Sequence, residues 1–449
     1  MSKTKPSLRA TGDNGRGKEE EVCVYYKCGR CSIIKEVMSK RPGWIEVKED
    51  SECDFNWCDV VWLRKEVEYS QLKKHVKINH FFNHYELTGK NLMAKNLRKC
   101  QRKSERDPNS MGMYDFFPET YALPNDYTLF VERFKRCPGN IWIMKPAASS
   151  QGKGIFLFRE LKDIVDWKVS WRTLEEDKEE AKAPSYVVQR YIENPYLING
   201  RKFDLRIYVL VTSFVPMKAW LYRDGFARLS STRFFLGSIH DKYMHLTNIA
   251  IQKQARDYDR HKPCKWQMQQ LRSYLTAKHG RVVVETLFNS IDNIIIGSLN
   301  SVRDVMIKDT HCFELYGYDI LLDDSLKPWL LEVNASPSMI PSSPQDYHLK
   351  FGLLEDTLNV IDMEGRLSGK EKRVGGFDLI LDDGVVLRED ENSKTMCKSV
   401  FGANSHLGCI NNREKQLSCL FFARGLQGED QRDPGLIPRH CPLKDLQTH

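Results

Sequence analysis

"KPWLLEVNASPSM", Lys327 to Met339, carries Glu332 and Asn334 in a segment that Leu330, Leu331 and Val333 mark as a buried strand. Polar groups in such a place cost free energy unless something satisfies them. Just upstream, "FELYGYDILL" (313–322) reads as a second strand, and Asp323-Asp324-Ser325 between the two is a hairpin signal. In that hairpin Asp319 stands on one strand, while Glu332 and Asn334, two apart, share a face of the other. Three oxygen-bearing side chains on one sheet surface suit a hard cation such as Mg²⁺, which takes its other ligands from water and nucleotide phosphate. A solvated sheet face is the competing reading.

Moving outward, "RKFDLRIYVLV" (201–211) alternates so that Lys202, Asp204 and Arg206 project from one face and Phe203, Leu205 and Ile207 from the other. "NIWIMKP" (140–146) and "GIFLF" (154–158) read as short buried strands around a small, flexible segment. Lys145 ends the first of them, and a lysine before a glycine-containing loop can hold phosphates through its ammonium and backbone N–H groups. The loop lacks P-loop spacing, so a surface turn remains open there. "HLTN" (245–248) offers hydroxyl and amide groups and reads equally well as a helix N-cap. "WLYRDGFARLS" (220–230) reads as a strand followed by a turn. Arg206 and Arg228 are spare cations near the same sheet, suited to a carboxylate if they are not simply at the surface.

The remaining chain frames these segments. With 449 residues, 41% of them hydrophobic, it can bury the cores of two or three domains. Residues 1–21 have a disordered composition, and 23–85 reads as a small α/β unit. "ELTGKNLMAKNLRKCQRK" (86–103) is a basic helix, and residues 266–308 have long-helix spacing. "WRTLEEDKEEAKA" (171–183) is a charged, solvated excursion; beyond about Gly365 the pattern thins into a tail. Thirteen scattered cysteines read as reduced cytosolic thiols, and the lone Cys28-Gly-Arg-Cys31 lacks the second ligand pair of a zinc site. No apolar stretch signals secretion or membrane insertion. A formal charge of +8 favours an acidic partner, and the missing aromatic RNA-binding signature argues against nucleic acid.

Taken as a set, "KPAASSQGKGI", "QRYIENP", "RKFDLRIYVLV", "WLYRDGFAR", "HLTN", "FELYGYDILL" and "WLLEVNASPS" resemble the tubulin tyrosine ligase-like family, in its glutamylase branch. Order and spacing match from about Arg41 to Arg373, about three-quarters of the chain, including "RPGW" (41–44) and "NHYELTGKNLMAKNL" (83–97). The resemblance implies an α/β ATP-grasp fold: an N-terminal α/β domain at 22–88, a central domain at 89–190, a C-terminal domain with the Mg-ATP site at 191–370, and a variable, partly disordered tail at 371–449.

Carried over by position, Lys145, Gln151 and Gly152 would contact phosphates, and Gln189, Arg190, Tyr191 and Ile192 would form the hinge strand against adenine. Lys202, Asp204, Thr247 and Asn248 would also hold ATP; Asp319, Glu332 and Asn334 would bind Mg²⁺. Arg228 and Lys350 would meet the incoming amino acid, with Arg206 close by, and Lys145, Arg206 and Glu332 would act in catalysis. The implied activity is an ATP- and Mg²⁺-dependent ligation of free L-glutamate, through an acyl phosphate, onto the acidic C-terminal tail of tubulin. Glutamine at 151, where branch-starting members carry arginine, implies a preference for chain elongation. The implied setting is the cytoplasm and cytoskeleton, at a ciliary or flagellar axoneme or basal body, in some relatives with further complex subunits. A glycine or tyrosine ligase of the same fold stays open. A non-catalytic microtubule-binding adaptor is disfavoured by the intact set of charged residues, and a kinase by the missing HRD and DFG motifs.

Overall fold

The computed structural model describes residues 22–29, 33–49, 52–65, 72–108, 112–147, 152–164, 185–255, 264–388 and 402–425. The expectations for residues 1–21, Cys31, Gln151, 171–183 and 427–449 lie outside the described residues.

Three sheets carry the fold. The first is parallel and contains β1 (Val24–Cys28), β2 (Trp44–Glu46), β3 (Phe55–Trp57) and β4 (Lys77–Ile78), in the order β2-β1-β3-β4. Val24, Tyr26, Trp44 and Phe55 pack here with Ile34 and Val37 of the helix Ile33–Ser39.

The second sheet is antiparallel, with β5 (Thr120–Leu123), β6 (Trp142–Pro146), β7 (Phe156–Phe158) and β8 (Tyr186–Arg190) in the order β5-β8-β6-β7. Trp142, Met144, Phe158 and Val188 pack around Phe130 of the helix Tyr127–Arg136. Their neighbours Ile143, Lys145, Leu157 and Gln189 therefore turn to the opposite face.

The third sheet contains β9 (Leu197–Ile198), β10 (Arg201–Phe214), β11 (Met217–Leu229), β12 (Lys265–Gln267), β13 (Glu314–Leu322), β14 (Pro328–Asn334), β15 (Arg373–Val374) and β16 (Phe377–Asp382). Its path is β14-β13-β10-β11-β16-β15, with β9 beside β10 and β12 beside β11. Alternation along β10 sends Phe203, Leu205, Ile207, Val209 and Val211 into the main core, with Tyr318 and Ile320 of β13 and the helices Met268–His279 and Arg281–Val302. The opposite face begins polar, at Lys202, Asp204 and Arg206, and ends apolar, where Tyr208 and Leu210 pack with the first sheet and the helix Pro344–Ile361. Arg281–Val302 is apolar and long enough to cross a membrane, yet Ile291, Ile295 and Leu299 are fully buried in the main core.

The long helices expected over 266–308 are Met268–His279 and Arg281–Val302, divided at Gly280, whose φ of 85° suits a residue without a Cβ. Two local readings change. Asp224-Gly225 does not turn the chain: β11 runs through it with a register shift opposite Ile207 and Val209. A Cβ on Gly225 would lie 2.4 Å from the Arg206 carbonyl oxygen, so the close strand approach explains the glycine. The chain does not leave the fold at 371 either, because β16 pairs with β11 from Lys218↔Asp382 to Tyr222↔Phe377.

Candidate active site

A cleft lies where the second sheet's inner face meets the polar end of the third. From the second sheet and the segment that follows it come Lys145, Gln189, Tyr191 and Ile192. Lys202, Asp204, Arg228, Asp319, Glu332 and Asn334 come from the third. Arg190 lines the cleft through a residue whose side chain is exposed and directed toward Asn140.

The lysines are held by neutral acceptors. Lys145 donates to Gln189 Oε1 at 2.7 Å, and Gln189 Nε2 donates to Thr120 Oγ1 at 2.8 Å. Lys202 donates to the Tyr191 hydroxyl at 2.8 Å and to the His245 carbonyl at 2.9 Å. The Tyr191 hydroxyl lies 2.9 Å from His245 Nδ1, and His245 Nε2 lies 3.0 Å from the Ser238 carbonyl. A carbonyl only accepts, so Nε2 carries the proton and Nδ1 accepts from Tyr191. Burial without a carboxylate in contact pushes the Lys145 ammonium down to about 8, against Glu332, and the Lys202 ammonium down to about 7, against Asp204.

Across the sheet, Asp204 is opposite Arg228, Arg206 is opposite Asp319, and Asp319 is opposite Glu332. Arg228 grips Asp204 bidentately and reaches Asp319 at 2.7 Å; Arg206 donates to both oxygens of Asp319 at 2.6 and 3.1 Å. Burial opposes ionisation of Asp319, but Arg206 and Arg228 overcome it and hold the carboxyl well below the usual range. Glu332 pairs with Lys90 at 3.1 Å, and Asn334 Nδ2 donates to the Gly317 carbonyl at 3.2 Å, leaving Oδ1 as the amide's acceptor.

Among the described residues no group of three or more His, Cys, Asp or Glu is placed to hold a metal. The oxygens of Asp319, Glu332 and Asn334 nonetheless fit Mg²⁺, which makes do with one or two carboxylates when phosphates supply further ligands.

One end of the cleft is shaped by Gly152, with φ 74°, where a Cβ would fall 2.3 Å from Ile251 Cδ1. Thr247 and Asn248 line the same end, and Asn248 also caps the helix Ile249–Gln252 by accepting from the Ala250 amide. The N-cap reading of "HLTN" thus holds, with Thr247 and Asn248 also at the cleft wall. Lys350 is placed differently: it sits on the helix Pro344–Ile361, donating to Asp346 Oδ2 at 3.1 Å and the Ile340 carbonyl at 2.6 Å.

Sequence reasoning missed Lys90 and His245, although both lie within quoted motifs. It also missed Lys265 of β12, which donates to Asp346 Oδ2 at 2.8 Å. Only the register placing Lys265 opposite Arg228 brings it to this face.

A family model described as the tubulin-tyrosine ligase family matches residues 68–368. The probable tubulin polyglutamylase TTLL9 of Bos taurus is 53% identical over 442 residues, covering 92% of this chain and 95% of its own. The probable tubulin polyglutamylase ttll-9 of Caenorhabditis elegans is 43% identical, covering 86% and 89%. The probable alpha-tubulin polyglutamylase Ttll1 of Tetrahymena thermophila is 38% identical, covering 79% and 94%.

Proposed function

Because this chain belongs to the tubulin-tyrosine ligase family, we propose that it is a tubulin polyglutamylase, an ATP- and Mg²⁺-dependent ligase that joins L-glutamate by isopeptide bonds to the glutamate-rich C-terminal tail of tubulin. The observation that carries this reading is the meeting, across one cleft, of Lys145 and Lys202 with the oxygen face of Asp319, Glu332 and Asn334. Two sheets opposed across one cleft support an ATP-grasp arrangement. In it, residues 22–88 form the N-terminal domain, 89–190 the central one and 191–370 the C-terminal one, extended by β16.

In this mechanism a glutamate carboxylate, of the tail or of the side chain growing on it, attacks the terminal phosphorus of ATP, and ADP leaves. The amine of free glutamate then attacks the acyl carbon, releasing phosphate and one proton. Lys145 and Lys202 hold the phosphoryl oxygens, with Lys90 beside Glu332 as a third ammonium. The hinge from Gln189 to Ile192 receives adenine, while Gly152, Thr247 and Asn248 shape the phosphate end. Mg²⁺, held by Asp319, Glu332 and Asn334, would neutralise charge on the phosphates. Arg228 and Lys350 receive the incoming amino acid, and the nearby Arg206 guanidinium favours its neutral amine by charge repulsion. No side-chain nucleophile is needed.

Gln151 supports elongation over initiation, since glutamine cannot neutralise a backbone-near carboxylate. The exposed Lys95, Lys99, Arg102 and Lys103 of the helix Lys90–Ser104 offer the acidic tail a cationic face. The site of action in this reading is the microtubule cytoskeleton, at the axoneme or basal body of a cilium or flagellum.

The test is purified protein with Mg-ATP, microtubules and, separately, labelled glutamate, glycine or tyrosine. Incorporation of glutamate alone, abolished in Glu332→Gln, is expected. Preferred transfer of glycine or tyrosine would overturn the donor assignment. Preference for unmodified over pre-glutamylated tail peptides would overturn the elongation assignment.

A further inference from the structure

Lys145 and Lys202 each head a relay of hydrogen bonds that ends on a main-chain carbonyl. In the first relay the Thr120 hydroxyl lies 2.6 Å from the Pro118 carbonyl oxygen. A carbonyl only accepts, so Thr120 spends its one proton there and has only lone pairs to offer Gln189 Nε2, at 2.8 Å. That turns the Gln189 amide so that Oε1 faces Lys145 Nζ, at 2.7 Å. The relay crosses three strands: Thr120 stands opposite Gln189, and Gln189 opposite Ile143, two residues short of Lys145. In the second relay the Ser238 carbonyl keeps the proton on His245 Nε2, so Nδ1 accepts from Tyr191, and the phenol is left with lone pairs for Lys202. Thr120, Gln189, Tyr191 and His245 are all buried, and each takes its partner from within the protein.

The direction of each relay decides what the lysine meets. An amide turned over would aim its NH2 group at the Lys145 ammonium, and a phenol released from His245 would turn its proton toward Lys202; both arrangements favour loss of the lysine proton. With the directions fixed, each ammonium keeps an acceptor but gains no negative charge to compete with a phosphate. We propose that Thr120 and His245 are positioning residues for the two lysines, imposing on Gln189 and Tyr191 the orientation in which they accept from an ammonium. The assignment rests on the nucleotide reading above, because phosphate is what the two charges are kept for. Thr120 lines a separate groove with Arg98 and Glu119, and it reaches Lys145 through Gln189. The balance it guards is fine: burial draws Lys145 down to about 8, with Glu332 and Asp319 opposing and Lys90 assisting, and Lys202 down to about 7, with Asp204 opposing and Lys145 assisting. Burial also lowers His245, assisted by Lys202 and opposed by the Ser238 carbonyl and Asp241, which leaves the imidazole neutral at pH 7 and above.

The experiment is the Kd of the full chain for Mg-ATP, measured by calorimetry from pH 6 to 9 in wild type, Thr120→Val, Thr120→Ser, His245→Leu and His245→Asn. Thr120→Val and His245→Leu should each weaken binding about tenfold, the scale of one hydrogen bond to a charged group, and should start the alkaline loss of affinity about one pH unit lower. The sign follows from an ammonium that gives up its proton more readily in the free protein. Thr120→Ser keeps the hydroxyl, and the amide oxygen of His245→Asn can stand where Nδ1 stands, so both should bind within about threefold of wild type with the same pH dependence. In a Lys145→Met background, Thr120→Val should add less than about twofold. A full tenfold loss in that background, or weaker binding with an unchanged pH dependence, would mean that Thr120 only supports the fold and would overturn the proposal. If Thr120→Val does not fold, the His245 variants, tested in the same way against Lys202→Met, decide it. Absence of Mg-ATP binding by the wild type would instead overturn the nucleotide reading.

Discussion

In the proposed reading, Lys202 makes nucleotide binding a proton-uptake reaction. The carboxylate nearest to it, Asp204, is already gripped by both arms of Arg228, so the ammonium is left with the Tyr191 hydroxyl, the His245 carbonyl and the repulsion of Lys145. With its pKa near 7 and that of Lys145 near 8, the free protein at pH 8 carries about nine-tenths of one site and half of the other unprotonated. A triphosphate favours the charged form of both, so their pKa values rise on binding. The sign follows: affinity is greatest below the free-protein pKa values and weakens as pH rises through them.

Raising a pKa from 7 to 8 on binding is worth about 1.4 kcal/mol, so the Kd for Mg-ATP should be nearly flat below pH 7 and grow about tenfold over the next pH unit. It should steepen past pH 8, to a total of at most roughly 500-fold between pH 7 and 9. Calorimetry at pH 8, in two buffers of different ionisation enthalpy, should find uptake of about one and a half protons. Lys202→Met should remove about one of them and flatten the curve between pH 7 and 8. No proton uptake at pH 8, with a Kd constant from pH 6.5 to 9, would refute the account of these two lysines.

Other perturbations separate stability from chemistry. Arg228→Met leaves the buried Asp204 carboxylate without its bidentate partner and should cost about 3 to 5 kcal/mol in urea unfolding; a loss below about 0.5 would contradict the pairing. Glu332→Gln, at a side chain 28% exposed, should unfold within about 1 kcal/mol of wild type while losing ligation; retained turnover would remove Glu332 from the metal face. Gly152→Ala should weaken ATP binding by about tenfold, since the φ of 74° alone costs an L-residue about 1 to 2 kcal/mol. Adding Ile251→Ala relieves the 2.3 Å overlap but not the backbone, so equilibrium binding should recover only in part.

The period-2 pattern made the working face of the third sheet legible. Lys202, Asp204 and Arg206 share one side of β10, and Glu332 and Asn334 one side of β14, because side chains two residues apart along a strand repeat on the same side. That both sets lie with Asp319 on one sheet face follows only from the pairing of Arg206 with Asp319 and of Asp319 with Glu332, and the contacts that join them were not in any local window. Arg228 finds Asp204 across a strand pair, Lys90 reaches Glu332 from the start of a helix 242 positions away in the chain, and His245 meets Tyr191 through a loop. Two misreadings have simple causes. Asp224-Gly225 is a good turn dipeptide overruled by strand packing. "FDLILD" is a six-residue segment with four apolar side chains between and beside two aspartates, which only the waiting edge of β11 turns into a strand.

That last strand sets the shortest stable form of the protein. A chain ending at residue 370, where the periodic pattern thins, would strip β16 from β11 and leave the backbone groups from Lys218 to Tyr222 facing water, an open template for a neighbouring molecule. The strand is itself clasped from behind: Arg413 grips Asp356 through both carboxylate oxygens, the Gln416 side chain accepts from the Gly375 amide and donates to the Arg373 carbonyl, and the Asn404 amide reaches the Leu379 carbonyl. Truncations intended for crystals or cell expression should therefore stop after residue 425 rather than before 371, or they will yield aggregates whose inactivity says nothing about catalysis.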